Sequence, residues 1–271
     1  MWAGATLCSS RATRMIGPYS VLSFVMLVGL VVATPFVVVA GVPDGLGASQ
    51  IGWLGLAGGG NVAGLLLAYT ALRTGKVAIV APILSTEGAI AAVISVVAGE
   101  RLGAGSGGML VLIAAGILLA SVAKDTDGPG VGGRAGVTAL LSVAAALCFG
   151  ASLYATGRVG SELGIAWAVL PARLIGVGLV AVPLALSRRI RLTRRAAPLV
   201  VLGGLFEVGG FALFTIGARH GLAVSAVLSS QFAAIAAIAA FFVFRERLGR
   251  IQLAGVVAIA GGVAALSALQ G

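Results

Sequence analysis

Long apolar runs divided by short polar connectors set the architecture of this chain. A helix rises about 1.5 Å per residue, so about 20 apolar residues cross the hydrocarbon of a bilayer. Such windows fall at 19–41, 51–72, 77–98, 106–123, 136–156, 165–186, 197–218, 222–244 and 251–269. Connectors rich in turn-forming residues separate them, as at Val42-Pro43-Asp44-Gly45-Leu46-Gly47 and Lys124-Asp125-Thr126-Asp127-Gly128-Pro129-Gly130. The pattern predicts nine transmembrane helices.

The runs are also duplicated. Gly99-Glu100-Arg101-Leu102-Gly103 returns as Arg245-Glu246-Arg247-Leu248-Gly249, 146 residues later. The same shift lays Arg73 and Gly75 on Arg219 and Gly221, Gly58 and Gly64 on Gly204 and Gly210, and Gly116 on Gly262. A duplicated, almost wholly apolar chain is the pattern of a transporter built from two repeats. Nine spans do not divide into two equal sets. However, Ala3-Gly4-Ala5-Thr6-Leu7 matches Phe149-Gly150-Ala151-Ser152-Leu153 at the same shift, which makes the first residues the second half of a span. Residues 1–10 reach only about 15 Å as a helix, half of the roughly 30 Å of hydrocarbon.

The expected fold is therefore an all-α membrane protein of five plus five helices whose first helix is truncated, leaving nine full spans and a fragment. A misassigned start codon is the plain explanation. No charged segment precedes the apolar run, which argues against a signal peptide. An odd number of spans per repeat turns the second repeat upside down, with a pseudo-two-fold axis in the membrane plane. The expected units are a first repeat at 1–123, a linker at 124–135 and a second repeat at 136–271.

Composition agrees. Apolar residues make up 59% of the chain and charged ones 10%, far below the roughly 25% charged of a soluble domain, so lipid must be the solvent. The 42 glycines suit helices packed closely through small residues. The net charge of +10 comes from arginines in short connectors, which points to membrane orientation and away from nucleic acid. Fourteen Lys and Arg gather on one side, among them Arg11, Arg14, Lys76, Lys124 and Arg188–Arg195, against Arg101, Arg158 and Arg219 on the other. The richer side is cytoplasmic by that bias, and the C-terminus then lies outside.

The blocks Ala71-Leu72-Arg73-Thr74-Gly75 with Gly99-Glu100-Arg101-Leu102, and Ala218-Arg219-His220-Gly221 with Arg245-Glu246-Arg247-Leu248-Gly249-Arg250-Ile251-Gln252-Leu253-Ala254-Gly255, carry a family resemblance. They resemble the two repeats of the EamA-type drug/metabolite transporter superfamily. The resemblance implies ten helices and export, less often uptake, of small metabolites. It also implies cytoplasmic termini, in conflict with the charge count for the C-terminus. Glu100 and Glu246 fall at helix ends beside an arginine and a turn glycine, where they are expected to organise the connector between consecutive spans.

Strongly polar side chains also lie in mid-span: Asn61, Glu87, Arg173, Glu207 and Gln231, on five spans at one depth. Asn61 and Glu207 are mates under the 146-residue shift. A charge at a helix centre costs about 2.5–3.5 kcal/mol on insertion scales, so it needs a partner or a wet cavity. One reading has the five lining a central cavity. Arg173 then takes an anionic group of the substrate or neutralises a glutamate, and Glu207 or Glu87 takes a substrate cation or a coupling proton. The other reading is a buried Glu–Arg pair that locks packing, with the amides as interhelical glue.

Pro35, Pro82, Pro171 and Pro183 lie within spans and read as kinks. Trp53, Tyr69, Tyr154 and Trp167 lie near span ends and read as interfacial anchors. The glycines at 58–60, 64, 203–204 and 209–210 read as sites of close helix approach rather than phosphate loops. The lone His220 has no nucleophile or acid pattern near it, and Cys8 and Cys148 form no metal set. An enzyme is not expected, nor a cofactor, a metal or a nucleic-acid partner. The expectation is an inner-membrane secondary transporter that exports a small amino-acid-like metabolite by alternating access, with proton coupling as an option. A polyspecific exporter of cationic drugs and a non-transporting scaffold stand as alternatives, and homodimerisation stays open.

Overall fold

A computed structural model describes residues 1–74, 77–101, 103–120 and 132–231, with isolated positions between 251 and 265. All regular structure among the described residues is helical. The helices are α1 (Trp2–Ile16), α2 (Pro18–Ala40), α3 (Ala48–Thr74), α4 (Val77–Leu84), α5 (Glu87–Val97) and α6 (Ala104–Ala120), then α7 (Gly132–Glu162), α8 (Ile165–Gly176), α9 (Val182–Leu186), α10 (Ala197–Ala218) and α11 (Leu222–Ser229). A π-helical stretch, Val177–Ala181, joins α8 to α9.

Among the described residues five helices are long and apolar enough to cross a membrane: Pro18–Ala40, Ala48–Arg73, Gly136–Glu162, Ile165–Leu186 and Ala197–Ala218. Their outward positions carry large apolar side chains such as Val31, Val39, Leu140, Leu179 and Leu186, all well exposed. On a chain whose solvent is hydrocarbon this is the expected surface, because helices already satisfy their own backbone.

Two expectations need correction. The predicted span 77–98 is not one helix: it breaks at Ser85–Thr86 into α4 and α5. The physical cause is local, since Ser85 Oγ donates to the Ala81 carbonyl at 3.0 Å and Thr86 Oγ1 to the Ile83 carbonyl at 2.7 Å. Such side-chain bonds compete with the helical ladder. α7 starts at Gly132, and most of the linker expected at 124–135 lies outside the described residues. The first helix extends past residue 10, so that Arg11 and Arg14 lie on α1 rather than in a connector. The expected spans 222–244 and 251–269 fall largely outside the described residues; α11 covers the start of the former and ends at Ser229.

Short turns reverse the chain. Gly17, at φ 83°, ends α1, and Pro18 opens α2 at a first-turn position that needs no amide hydrogen. Gly164, at φ 89°, plays the same part between α7 and α8. The left-handed region is open to glycine without steric cost.

Under the 146-residue shift α3 corresponds to α10, α2 to the run from α8 to α9, and most of α1 to the end of α7. The packing is reciprocal across the two halves. α3 packs on α7 and α8, and α10 packs on α1 and α2. Glycines make the approach close: a Cβ at Gly58 would lie 2.6 Å from the Pro171 carbonyl carbon, and one at Gly204 2.8 Å from Val28. In lipid such contact supplies the dispersion energy that apolar burial supplies in water.

Candidate functional site

The reciprocal packing brings α1, α3, α7 and α10 around one interior cavity, with the α4–α5 break at its edge. On α3 the positions Asn61, Leu65, Ala68, Tyr69 and Leu72 line it. They recur at helical spacing and share one face. Glu207 and Phe211, one turn apart on α10, face them, and Trp2 of α1 and Phe149 of α7 complete the wall. Glu87, the first residue of α5, joins because the break places that helix start beside the cavity. The cavity measures about 60 Å³. That holds a few water molecules and lies well below the roughly 300–1,000 Å³ of a ligand pocket. A whole solute enters only if the helices part.

All these polar groups are buried: Asn61 is 1% exposed, Tyr69 4%, Glu207 5% and Glu87 6%. Asn61 Nδ2 donates to Glu207 Oε1 at 3.3 Å, while Asn61 Oδ1 has no partner. The Ser9 hydroxyl donates to Tyr69 Oη at 3.2 Å. The indole N–H of Trp2 is also buried without a partner. Glu87 and Glu207 feel one another electrostatically. A charged carboxylate in hydrocarbon is costly, and a single amide donor offsets only part of that cost.

Two of the five mid-span candidates stand apart from the cavity. Arg173 of α8 is fully buried, with Nη1 at 3.5 Å from Met26 Sδ and its guanidinium carbon 5.6 Å from the centre of the Phe211 ring. Its Nε and Nη2 have no hydrogen-bond partner. Gly29 makes room for it, since a Cβ there would lie 2.8 Å from Arg173 Nε. It interacts electrostatically with Glu207 but forms no ion pair within reach among the described residues. Gln231 follows α11, half-buried, with Nε2 unpartnered and off the cavity wall.

The interfacial role expected for Tyr69 is corrected, because burial and the Ser9 contact place it in the cavity. Its spacing from Asn61, eight residues along α3, was the available signal. Trp2 and Phe211 were also missed: an aromatic in an apolar run has no one-dimensional mark that separates lining from packing. Trp53 and Trp167 keep positions near helix ends, where Trp167 Nε1 donates to the Gly41 carbonyl at 2.8 Å, whereas Tyr154 is buried two turns inside α7 against Trp53.

Glu100 also differs from expectation. It does not organise its own connector alone, because its carboxylate accepts the Ala223 amide of α11 at 3.1 Å and the Ser95 hydroxyl. A carboxylate at a helix start satisfies an orphan N–H and opposes the positive end of the helix dipole. The glutamate of one half therefore caps a helix of the other. Its counterpart Glu246 lies outside the described residues. Beside this cap opens a wider polar vestibule of about 450 Å³, lined by Glu100, Arg158, Arg219 and His220 among others. Arg158 and Arg219 are two of the three basic residues that the charge count assigns to the same membrane side.

The α5–α11 contact runs through Gly88, whose Cβ position is occupied by the Ala226 carbonyl oxygen and Ser230 Oγ. α11 ends with the device seen at the α4–α5 break, a serine hydroxyl, Ser230 Oγ, bonded back to a helix carbonyl, that of Val227, at 2.8 Å. Among the described residues no group of three or more His, Cys, Asp or Glu is placed to hold a metal ion.

Three comparisons bear on this arrangement. The model of the EamA-like transporter family matches residues 1–122. A solved structure, titled only as the crystal structure of a protein, is 20% identical with a TM-score of 0.70, over 98% of this chain and 94% of that one. At that identity the likeness shows a shared fold and nothing finer. No curated protein matches the chain.

Proposed function

We propose, from the match of the EamA-like transporter family model to residues 1–122, that the chain is a secondary transporter of small organic solutes in the cell membrane. The single observation that carries the reading is the buried Asn61–Glu207 hydrogen bond between the two halves, at the wall of a cavity shared with Glu87. Polar groups gathered at one interior point of an otherwise apolar bundle are costly, and such groups mark translocation sites. Reciprocal packing of α3 on α7–α8 and α10 on α1–α2 supports two inverted repeats that rock about this point. The broken α4–α5 helix has the form that transporters use beside a cavity, where unwound backbone is tolerated.

In the mechanism, the cavity opens by turns to each side, and the narrow volume in this conformation is the occluded stage. Glu207 and Glu87 hold a cationic group of the solute or a proton that drives it. Asn61 orients the Glu207 carboxylate. Export is the direction proposed, as the family resemblance implies, with the Glu100 vestibule on the side away from the basic connectors. Neither a cofactor nor a nucleic-acid partner enters the scheme; the bilayer is its only required surroundings.

The test is mass spectrometry of medium and cell contents for cells with wild type, Glu207→Gln or empty vector, at matched membrane abundance. The expected result is a metabolite that redistributes with wild type alone. Equal redistribution by wild type and Glu207→Gln removes Glu207 from the mechanism. No redistribution by wild type, with the protein correctly inserted, overturns the transporter reading.

A further inference from the structure

The charged groups that face the cavity are all acidic, beside the donor groups of Trp2, Thr6 and Tyr69. Glu87 and Glu207 offer carboxylates, and Asn61 offers a carbonyl oxygen that nothing occupies. Asn61 has already spent its donor on Glu207, so the amide presents only its acceptor to a guest. Among the described residues the lining contains no Lys, Arg or His. Arg173, the one cation at this depth, turns its guanidinium to Met26 and to the ring of Phe211. Aromatic rings make up much of the remaining wall: Trp2, Tyr69, Phe149 and Phe211.

An acceptor-rich, ring-lined, cation-free site selects by sign. A substrate carboxylate would meet two glutamates, while the guanidinium of Arg173 lies outside the lining against Met26 and Phe211, and such like-charge juxtaposition costs several kcal/mol. An ammonium group meets carboxylates, a free carbonyl and ring faces whose quadrupoles attract it. An ammonium that still carries N–H also satisfies Asn61 Oδ1, which is otherwise a buried acceptor left unmade.

We infer that the cargo is a protonated amine with an apolar or aromatic body, and that an amino-acid zwitterion of the same body is rejected. This rests on the transporter reading above and narrows it to one substrate class, against the amino-acid-like cargo expected from the sequence. That expectation needed Arg173 to face the site, and it does not.

Three probes with one body separate the classes: 2-phenylethylammonium, phenylalanine and 3-phenylpropionate. Binding is measured on the purified full chain in lipid nanodiscs, by equilibrium dialysis and by thermal stabilisation. The amine is expected to bind roughly tenfold or more tightly than either other probe, the contrast that cation–π and carboxylate contacts in a desolvated site give. Glu207→Gln is expected to erase that preference, and Glu87→Gln serves as the second variant if the first does not fold. Phenylalanine binding as tightly as the amine, or tighter, overturns the inference, as does a preference for the amine that survives both substitutions. Absence of binding by all three also overturns it. In each of these cases the redistribution experiment decides the parent reading separately, because it presumes no substrate class: redistribution of a non-amine by wild type keeps the transporter and discards the amine.

Discussion

Asn61 and Glu207 occupy the same place in the two halves of the chain, 146 residues apart, and they hydrogen-bond to one another at 3.3 Å. The contact lies on the wall of the cavity. One partner is an amide and the other an acid, whereas two ionised acids at this distance would repel.

Asn61→Leu leaves the Glu207 carboxylate buried without its donor. The variant should lose about 1–2 kcal/mol of stability. The denaturation midpoint in detergent checks this, and a midpoint equal to wild type would show that the bond carries no net energy. Asn61→Asp should be worse than Asn61→Leu, because it sets a third carboxylate beside Glu207 and Glu87.

Arg173 and Glu207 influence each other without an ion pair, so their loss should be non-additive. In a double-mutant cycle, Arg173→Met with Glu207→Gln should cost less than the two single changes together, by about 1–3 kcal/mol. Met is the chosen replacement because it fills the nest of Met26 and Phe211 and carries no charge. Additive single costs would mean that the guanidinium acts on packing alone.

Gly88 leaves no space for a side chain against the Ala226 carbonyl and Ser230. Gly88→Val should push α5 away from α11 and cost about 1–3 kcal/mol, the usual penalty of overpacking. The drop is read as a lowered melting temperature. Gly59→Val, at a glycine with open space around its Cβ position, is the control and should be near neutral.

Glu100→Ala removes the cap of α11. The expected cost is about 0.5–2 kcal/mol, as for other lost helix caps. Hydrogen exchange should quicken at the Ala223 and Val224 amides while those of α2 stay unchanged. Exchange spread evenly over all helices would mean that Glu100 acts on global stability rather than on this one helix end.

Much of this architecture was legible in one dimension. Hydrocarbon admits only apolar, backbone-satisfied segments, so hydropathy alone marked α2, α3, α7, the α8–α9 span and α10 with ends within a few residues. The same constraint made Asn61, Glu87 and Glu207 conspicuous, because a polar group in such a run needs a reason. The break at Ser85–Thr86 was not legible, since serine and threonine in a short apolar run are common and only their bonds to carbonyls interrupt the ladder. The destination of each mid-span side chain was equally hidden. It depends on how each helix is rotated and how closely glycines 58 and 204 let its neighbours approach. Those contacts turned Tyr69 inward, turned Arg173 aside to Met26 and Phe211, and carried Glu100 across to α11. The order of residues thus determined that this is a helical membrane protein with polar groups inside its apolar spans. Tertiary packing alone decided which of them meet, because lipid gives every apolar helix face the same welcome and close side-chain fit must choose among them.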